Sequence, residues 1–376
     1  MNAIYVLKDK IEQDFVIKSC KIVINDTEEV HELKFPLKFR KKLSGSADSW
    51  VILSLHKFLR VGGDVHVYNA PVSKSLLDNI YNYCEIWNYL IADYKMVNFI
   101  PEKEINDYTS VHFCSKRKLN DAIMSFSGGL DACFTLYRHR NNLAGRNNKN
   151  IKQAILLYGA GDTPLEKDKD FILHKANTSE LCQDMGVPLD IVETNFLKFP
   201  NDWEREHFNV IVCVLNFFKD YKYKIIASSL TPWIESYKRM PWSSNPVTDH
   251  LLSSNNAVVI TDDMSFSRTD KARVVKNWTL AKEKMRVCWE NEDKAKNCGH
   301  CEKCMRTMLN FICAGETEHL KMFPEQSYKD LEKNIKNITH FPYWQWLDLY
   351  NIAKTDDSVD RKYVNIIEKL LSTVQK

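Results

Sequence analysis

Glycine is scarce in this chain: 11 of its 376 residues, well below the roughly 7% of average usage. Loops are therefore not built from flexible Gly-rich stretches, and a glycine pair stands out. Long apolar runs are also missing. The longest, from Val210 to Phe218, is interrupted by Asn216 and is far shorter than the ~20 residues a bilayer-spanning helix needs. Neither sign of charge is in excess. A formal net charge of +3, from 52 lysines and arginines against 49 aspartates and glutamates, gives no reason to expect nucleic acid or an anionic membrane as a partner. The opening residues, MNAIYVLKDKIEQDF, carry acids and lysines where a secretory leader needs an apolar stretch. This predicts a cytoplasmic protein. A Gly-x4-Gly-Lys-Ser/Thr loop is absent, and no Ser–His–Asp or Cys–His arrangement is readable.

What is present begins with cysteine. The chain has 11, an odd number, which argues against a disulfide scaffold and for metal ligands or active thiols wherever they cluster. Cys20, Cys84, Cys114, Cys133, Cys182, Cys213 and Cys313 are scattered among mostly apolar neighbours and read as small buried side chains. Cys288, Cys298, Cys301 and Cys304 fall within VCWENEDKAKNCGHCEKCMRTM. Three closely spaced thiolates with a fourth upstream suit a tetrahedral, fully protein-ligated Zn²⁺, whose closed shell makes it structural. A four-cysteine iron–sulfur cluster would use the same ligands, and His300 reads as an exposed loop residue.

A chain of this length predicts more than one domain. Residues 1–116 mix short β-like runs (Ala3–Leu7, Phe15–Val23, Val51–Leu55, Asp64–Tyr68) with a helical stretch from Ser73 to about Ala92, and are expected to form an α+β accessory domain. A boundary is placed near 117, at the basic tract Ser115–Lys118. Residues 117–315 then alternate strands (Asp121–Phe126, Gln153–Tyr158, Pro188–Thr194, Lys224–Ser228, Ala257–Thr261) with helices. That alternation predicts an α/β core with a parallel sheet wound on both faces. Residues 316–376 are expected to be a helical C-terminal tail.

The glycine pair lies in MSFSGGLDACF, residues 124–134, directly after the first core strand. In open α/β sheets ligands bind outside the carboxyl ends of strands. Two glycines allow a tight turn and close backbone approach, and the N–H groups opening the next helix attract anions. Ser127, Gly128, Gly129, Leu130 and Asp131 are thus a candidate phosphate loop, with Ser127 adding a hydroxyl and Asp131 either a helix-start cap or a partner for Mg²⁺.

The Ser-Gly-Gly-x-Asp segment resembles the pyrophosphate-binding loop of the PP-loop ATPases. Combined with the cysteine spacing, it resembles the 7-cyano-7-deazaguanine synthase (QueC) family over about residues 119–313. The resemblance implies a HUP-type core and an ATP- and Mg²⁺-dependent ligase that adenylates a small acid of the 7-carboxy-7-deazaguanine type and passes it to an amine. It implies zinc on the four cysteines, adenine near Leu157, Tyr158 and Gly159, and a crevice lined by Ser228 and Ser229. Lys271 and Arg268 would act with Asp131 on phosphate charge. The family's Lys-x-Glu pattern is altered here to Lys271-Ala272-Arg273, and Arg306 sits one place before the position where the family usually has an arginine. QueC-like proteins with added domains occur in anti-phage operons (Qat and type IV CBASS). By that resemblance residues 1–116 would select a protein acceptor. Two alternatives are a PP-loop tRNA-modifying enzyme of the lysidine or thiolation type, with Cys133 close to the loop, and a non-catalytic nucleotide-sensing subunit, for which Arg273 is the main support.

Overall fold

The structure is a computed structural model that describes residues 1–108, 120–161, 163–166, 168–229, 242–316 and 318–373. The boundary expected near 117, the basic tract 115–118 and Cys114 lie outside the described residues. The protein is mixed α/β, organised on a large, mostly parallel central sheet.

The N-terminal strands are β1 (Asn2–Val6), β2 (Lys10–Glu12), β3 (Phe15–Ile24), β4 (Thr27–Pro36), β5 (Gly63–Tyr68), β6 (Val72–Ser73), β7 (Val97–Pro101) and β8 (Glu104–Ile105). The later ones are β9 (Asp121–Ser125), β10 (Asn150–Tyr158), β11 (Leu189–Thr194), β12 (Tyr223–Ala227) and β13 (Val258–Asp262). Eleven of these form one sheet in the order β13-β12-β9-β10-β11-β4-β3-β1-β5-β7, with β2 paired to β3. The five strands from β9 to β13 are mutually parallel.

Both faces of that parallel part are buried, and alternation along the strands shows how. On β9, Ile123 belongs to one apolar cluster, while its neighbours Ala122 and Met124 belong to the other. On β12, Ile226 and Ile225 divide in the same way. Period-2 side chains feeding two separate cores require helices on both faces. Helices α1 (Asp48–Leu59) and α5 (Trp203–Asn216) supply the first. Helices α3 (Leu130–Arg140), α4 (Asp168–Asp184), α6 (Arg268–Val275) and α8 (Glu302–Cys313), with the tail, supply the second. α2 spans Lys74–Leu90 and α7 spans Thr279–Lys284.

One expected element is corrected. Val51–Leu55 is not a strand but the middle of α1. Every residue of that helix is buried, so it shows no polar stripe, and a short apolar run of this kind cannot be assigned to helix or strand by periodicity.

Residues 1–108 continue the same sheet. β11 pairs antiparallel with β4 through Glu193–Lys34 and Thr194–Leu33. Asn195 clasps the join: its Oδ1 accepts from the Glu32 amide at 2.8 Å, and its Nδ2 donates to the Val30 carbonyl at 2.9 Å. α1 packs on α5, where Asn209 Nδ2 donates to the Ile52 carbonyl at 3.1 Å. Among the described residues no helix is long and apolar enough to cross a membrane.

Candidate functional site

The strand order fixes where a ligand crevice can form. From β9 the chain winds through β10 to β11, then returns across α5 to β12 on the other side of β9, and on to β13. The carboxyl ends of β9 and β12 therefore flank a topological switch point, the usual ligand position in open α/β sheets. Ser127–Gly129 leads from β9 into α3 at that point. Gly128 has φ +71°, and a Cβ there would lie 3.2 Å from Thr178 Oγ1. The position thus needs glycine for both its conformation and its packing under α4. Gly129 is the N-cap of α3 and provides no side-chain cap, which leaves the first amides of an eleven-residue helix to an external acceptor. Ser127 beside it is exposed.

Charged side chains from α6 and the end of β13 close over this turn. A capping box between Ser267 and Asp270 fixes the start of α6. Arg268 and Lys271, three residues apart, then project from one face of that helix. Cations at a helix N-terminus oppose its dipole, and Asp131 compensates. Arg268 Nη1 donates to its Oδ2 at 2.6 Å, and Lys271 Nζ to its Oδ1 at 3.0 Å. Lys271 also reaches Asp263 Oδ2 at 3.0 Å and the Ser228 carbonyl at 2.5 Å. Burial opposes the Lys271 charge, but the two carboxylates outweigh it and raise its pKa. For Asp131, burial is likewise outweighed by Arg268 and Lys271, which hold the carboxyl below its usual range.

Asp263 differs from both. Its side chain is fully buried, its φ is +63°, and its Oδ1 accepts from the Ser228 amide at 2.8 Å. Burial, opposed by Lys271 and reinforced by Asp131 and Asp262, pushes its carboxyl up to about 8 from 3.8. The folded protein thus binds a proton here that the unfolded chain releases. The associated stability is present below about pH 4 and is lost as pH rises towards 8. Asp263→Asn has no such proton to lose. Its unfolding free energy relative to wild type should climb with pH across that window, by up to about 1.4 kcal/mol per pH unit. A difference that stays flat across the window would show that the carboxyl is already ionised.

The four cysteines converge. Their sulfurs all lie within 4.8 Å of one another, with Sγ–Sγ separations of 3.6 Å (Cys288–Cys298), 3.7 Å (Cys288–Cys301) and 3.9 Å (Cys298–Cys304). A tetrahedron with metal–sulfur bonds of 2.3 Å has edges of roughly 3.8 Å, so the residues fit a metal ion such as zinc. Mutual contact among the four thiols lowers the pKa of Cys288 and raises that of Cys304. Asn297 organises the loop. Its Oδ1 accepts from the Val287 and Cys288 amides, and its Nδ2 donates to the Met285 and Met322 carbonyls. Gly299 has φ +77°, and a Cβ there would overlap Ser327. His300 is exposed and outside the cluster. The knuckle is tied to the glycine turn, because the Arg286 amide donates to the Gly128 carbonyl at 3.0 Å.

No family model, curated protein or solved structure matches this chain. Its function must therefore be read from its own residues.

Of the residues singled out in the sequence, Ser127, Gly128, Gly129, Leu130, Asp131, Ser228, Arg268 and Lys271 come together at the switch point. Leu157 and Tyr158 end the adjacent strand, but their side chains are engaged elsewhere. Tyr158 stacks on Phe171 at 3.8 Å and its hydroxyl donates to the Leu165 carbonyl, while Leu157 packs against the opposite core. Gly159 has φ +85°, and a Cβ there would collide with the Thr194 carbonyl. Arg273 turns away to pair with Asp270 and Asp356. Sequence reasoning missed Asp263 and Asn297. For Asp263 the available signal was an acidic pair, Asp262-Asp263, at the carboxyl end of an apolar run.

Proposed function

We propose that this chain is an ATP-dependent, carboxylate-activating enzyme of the PP-loop class, similar to the QueC family. The observation that carries the reading is the position of the uncapped, glycine-initiated α3 at the β9/β12 switch point. The α3 amides and the Ser127 hydroxyl would take the terminal phosphates of ATP. Lys271 and Arg268, held in place by Asp131, would oppose the charge that develops on pyrophosphate. A carboxylate oxygen of the acid attacks the α-phosphorus. The bond to the bridging oxygen breaks, and pyrophosphate leaves with the electron pair. An amine nitrogen then attacks the acyl carbon of the adenylate, AMP departs, and the nitrogen gives up a proton to solvent. Each Asp131 oxygen already bonds a cation, and Mg²⁺ would enter as the counter-ion that ATP carries. A metal held by Cys288, Cys298, Cys301 and Cys304 would have its shell closed by the protein and would supply structure.

The acid would be of the 7-carboxy-7-deazaguanine type, and the amine either ammonia or a group on a partner protein recognised through residues 1–116. Sulfur transfer is disfavoured, because Cys133 is fully buried and burial drives its thiol pKa well up, the reverse of an activated thiolate. Arg273 makes surface ion pairs with Asp270 and Asp356; a sensing role without turnover would instead show ATP binding with no pyrophosphate release. The test is incubation with ATP, Mg²⁺, 7-carboxy-7-deazaguanine and ammonia, following pyrophosphate and AMP. Equal release of both, dependent on the acid, is expected. ADP as the product, or AMP formed equally well without the acid, would rule the reading out.

A further inference from the structure

The seam between α6 and α8 contains buried N–H groups with nothing to bond. Among the described residues Arg306 Nη1, Arg268 Nε and Asn310 Nδ2 have no acceptor. Arg306 is only 4% exposed. Glu302, one turn earlier on α8, holds half of its guanidinium: Nε donates at 2.6 Å and Nη2 at 3.3 Å. Glu302 is itself fixed by Trp346 Nε1 at 2.6 Å. The fork is thus locked in orientation with one edge unused. Arg268 is in the same state, its Nη1 on Asp131 and its Nε unused. Burial disfavours the Arg268 charge, and the Arg306 charge adds to that. Asn310, four residues after Arg306 and hence on the same face of α8, is joined to the start of α6 by Thr269 Oγ1 at 2.9 Å.

Unlike an amide or a hydroxyl, an arginine N–H cannot be turned into an acceptor, and leaving it buried without one is costly. Two such groups in one seam, each pre-oriented by its own carboxylate, call for a planar oxyanion as acceptor. We infer that this seam is the carboxylate subsite of the acid substrate, with Arg306 as a substrate-binding residue and Asn310 beside it. The inference rests on the adenylation reading above and adds to it where the nucleophile is held. Arg268 joins this seam to Asp131 in the first turn of α3, and the α3 amides are left for phosphate. The metal knuckle has a part in this geometry, since Cys301 is the N-cap of α8 and sets the register that carries Arg306 to the seam.

Calorimetric titration of the full chain tests this, with 7-carboxy-7-deazaguanine in one arm and ATP with Mg²⁺ in the other. Arg306→Gln should weaken binding of the acid at least tenfold and leave ATP within about twofold. Arg306→Lys, which keeps charge but loses the fork, should fall between wild type and Gln. Asn310→Asp, nearly isosteric, should also repel the acid and gives the answer if Arg306→Gln does not fold. Acid affinity unchanged in these variants, or absent in wild type, overturns the subsite. Loss of ATP binding with acid binding intact assigns the seam to phosphate and overturns it too. Wild type that binds the acid through Arg306 but binds no ATP supports the subsite and sinks the adenylation reading.

Discussion

Removing the metal with a strong chelator should lower Tm by more than 10 °C and unfold the segment around the cysteine knuckle. Structural zinc in small cysteine sites contributes on the order of 10–16 kcal/mol at pH 7, comparable to the total stability of an ordinary domain. The knuckle is also embedded in a core. Cys288, Cys301 and Cys304 are buried within the cluster that contains Met124, Leu130 and Trp346, so loss of the ion is not confined to a surface loop. Elemental analysis should find one zinc per chain in colourless protein. Cys298→Ser should behave like the chelated form, and brown protein containing iron would reassign the site. Because the Arg286 amide bonds the Gly128 carbonyl, the chelated protein should also lose pyrophosphate release. A Tm unmoved by chelation would show that the four sulfurs hold no structural ion.

Lys271→Met is expected to reduce pyrophosphate release by about 10³-fold, equivalent to roughly 4 kcal/mol of transition-state stabilisation. The structural effect is separate. Lys271 is 1% exposed and bridges Asp131 and Asp263. Above about pH 8, where Asp263 is ionised, its loss leaves a buried carboxylate charge uncompensated, with an expected cost of about 3–5 kcal/mol. Adding Asp263→Asn should recover much of that stability and none of the turnover. Recovery of turnover in the double variant would show that Lys271 only holds the fold together, and a fully active single variant would remove it from the site.

The parallel strands were legible because strands buried on both faces read as continuous apolar runs, such as Ala122–Met124 and Ile225–Ile226. The glycine turn and the cysteine knuckle were legible because both depend on local spacing. β4 went unread, since its glutamates lower strand propensity. A signal was available, however, in Asn25-Asp26. Both residues have positive φ and join Ile24 to Thr27, the two-residue hairpin such pairs favour. Lys271 and Asp131 were picked out, but their union with Asp263 was not. It joins the turn after β9 to the loop after β13, and only the sheet order makes those neighbours. The orphaned face of Arg306 was invisible for the same reason, because an unused donor exists only once the surrounding chain is packed.

The two-residue pairing of β4 with β11 bears on how this protein can be handled. Without residues 1–108, β11 would become an outer strand showing bare amides and carbonyls, and the apolar face of α5 that packs on α1 would be uncovered. Such a margin recruits any strand that reaches it. A minimal catalytic fragment cut after residue 108 should therefore self-associate on expression, whatever part the missing piece plays in choosing an acceptor.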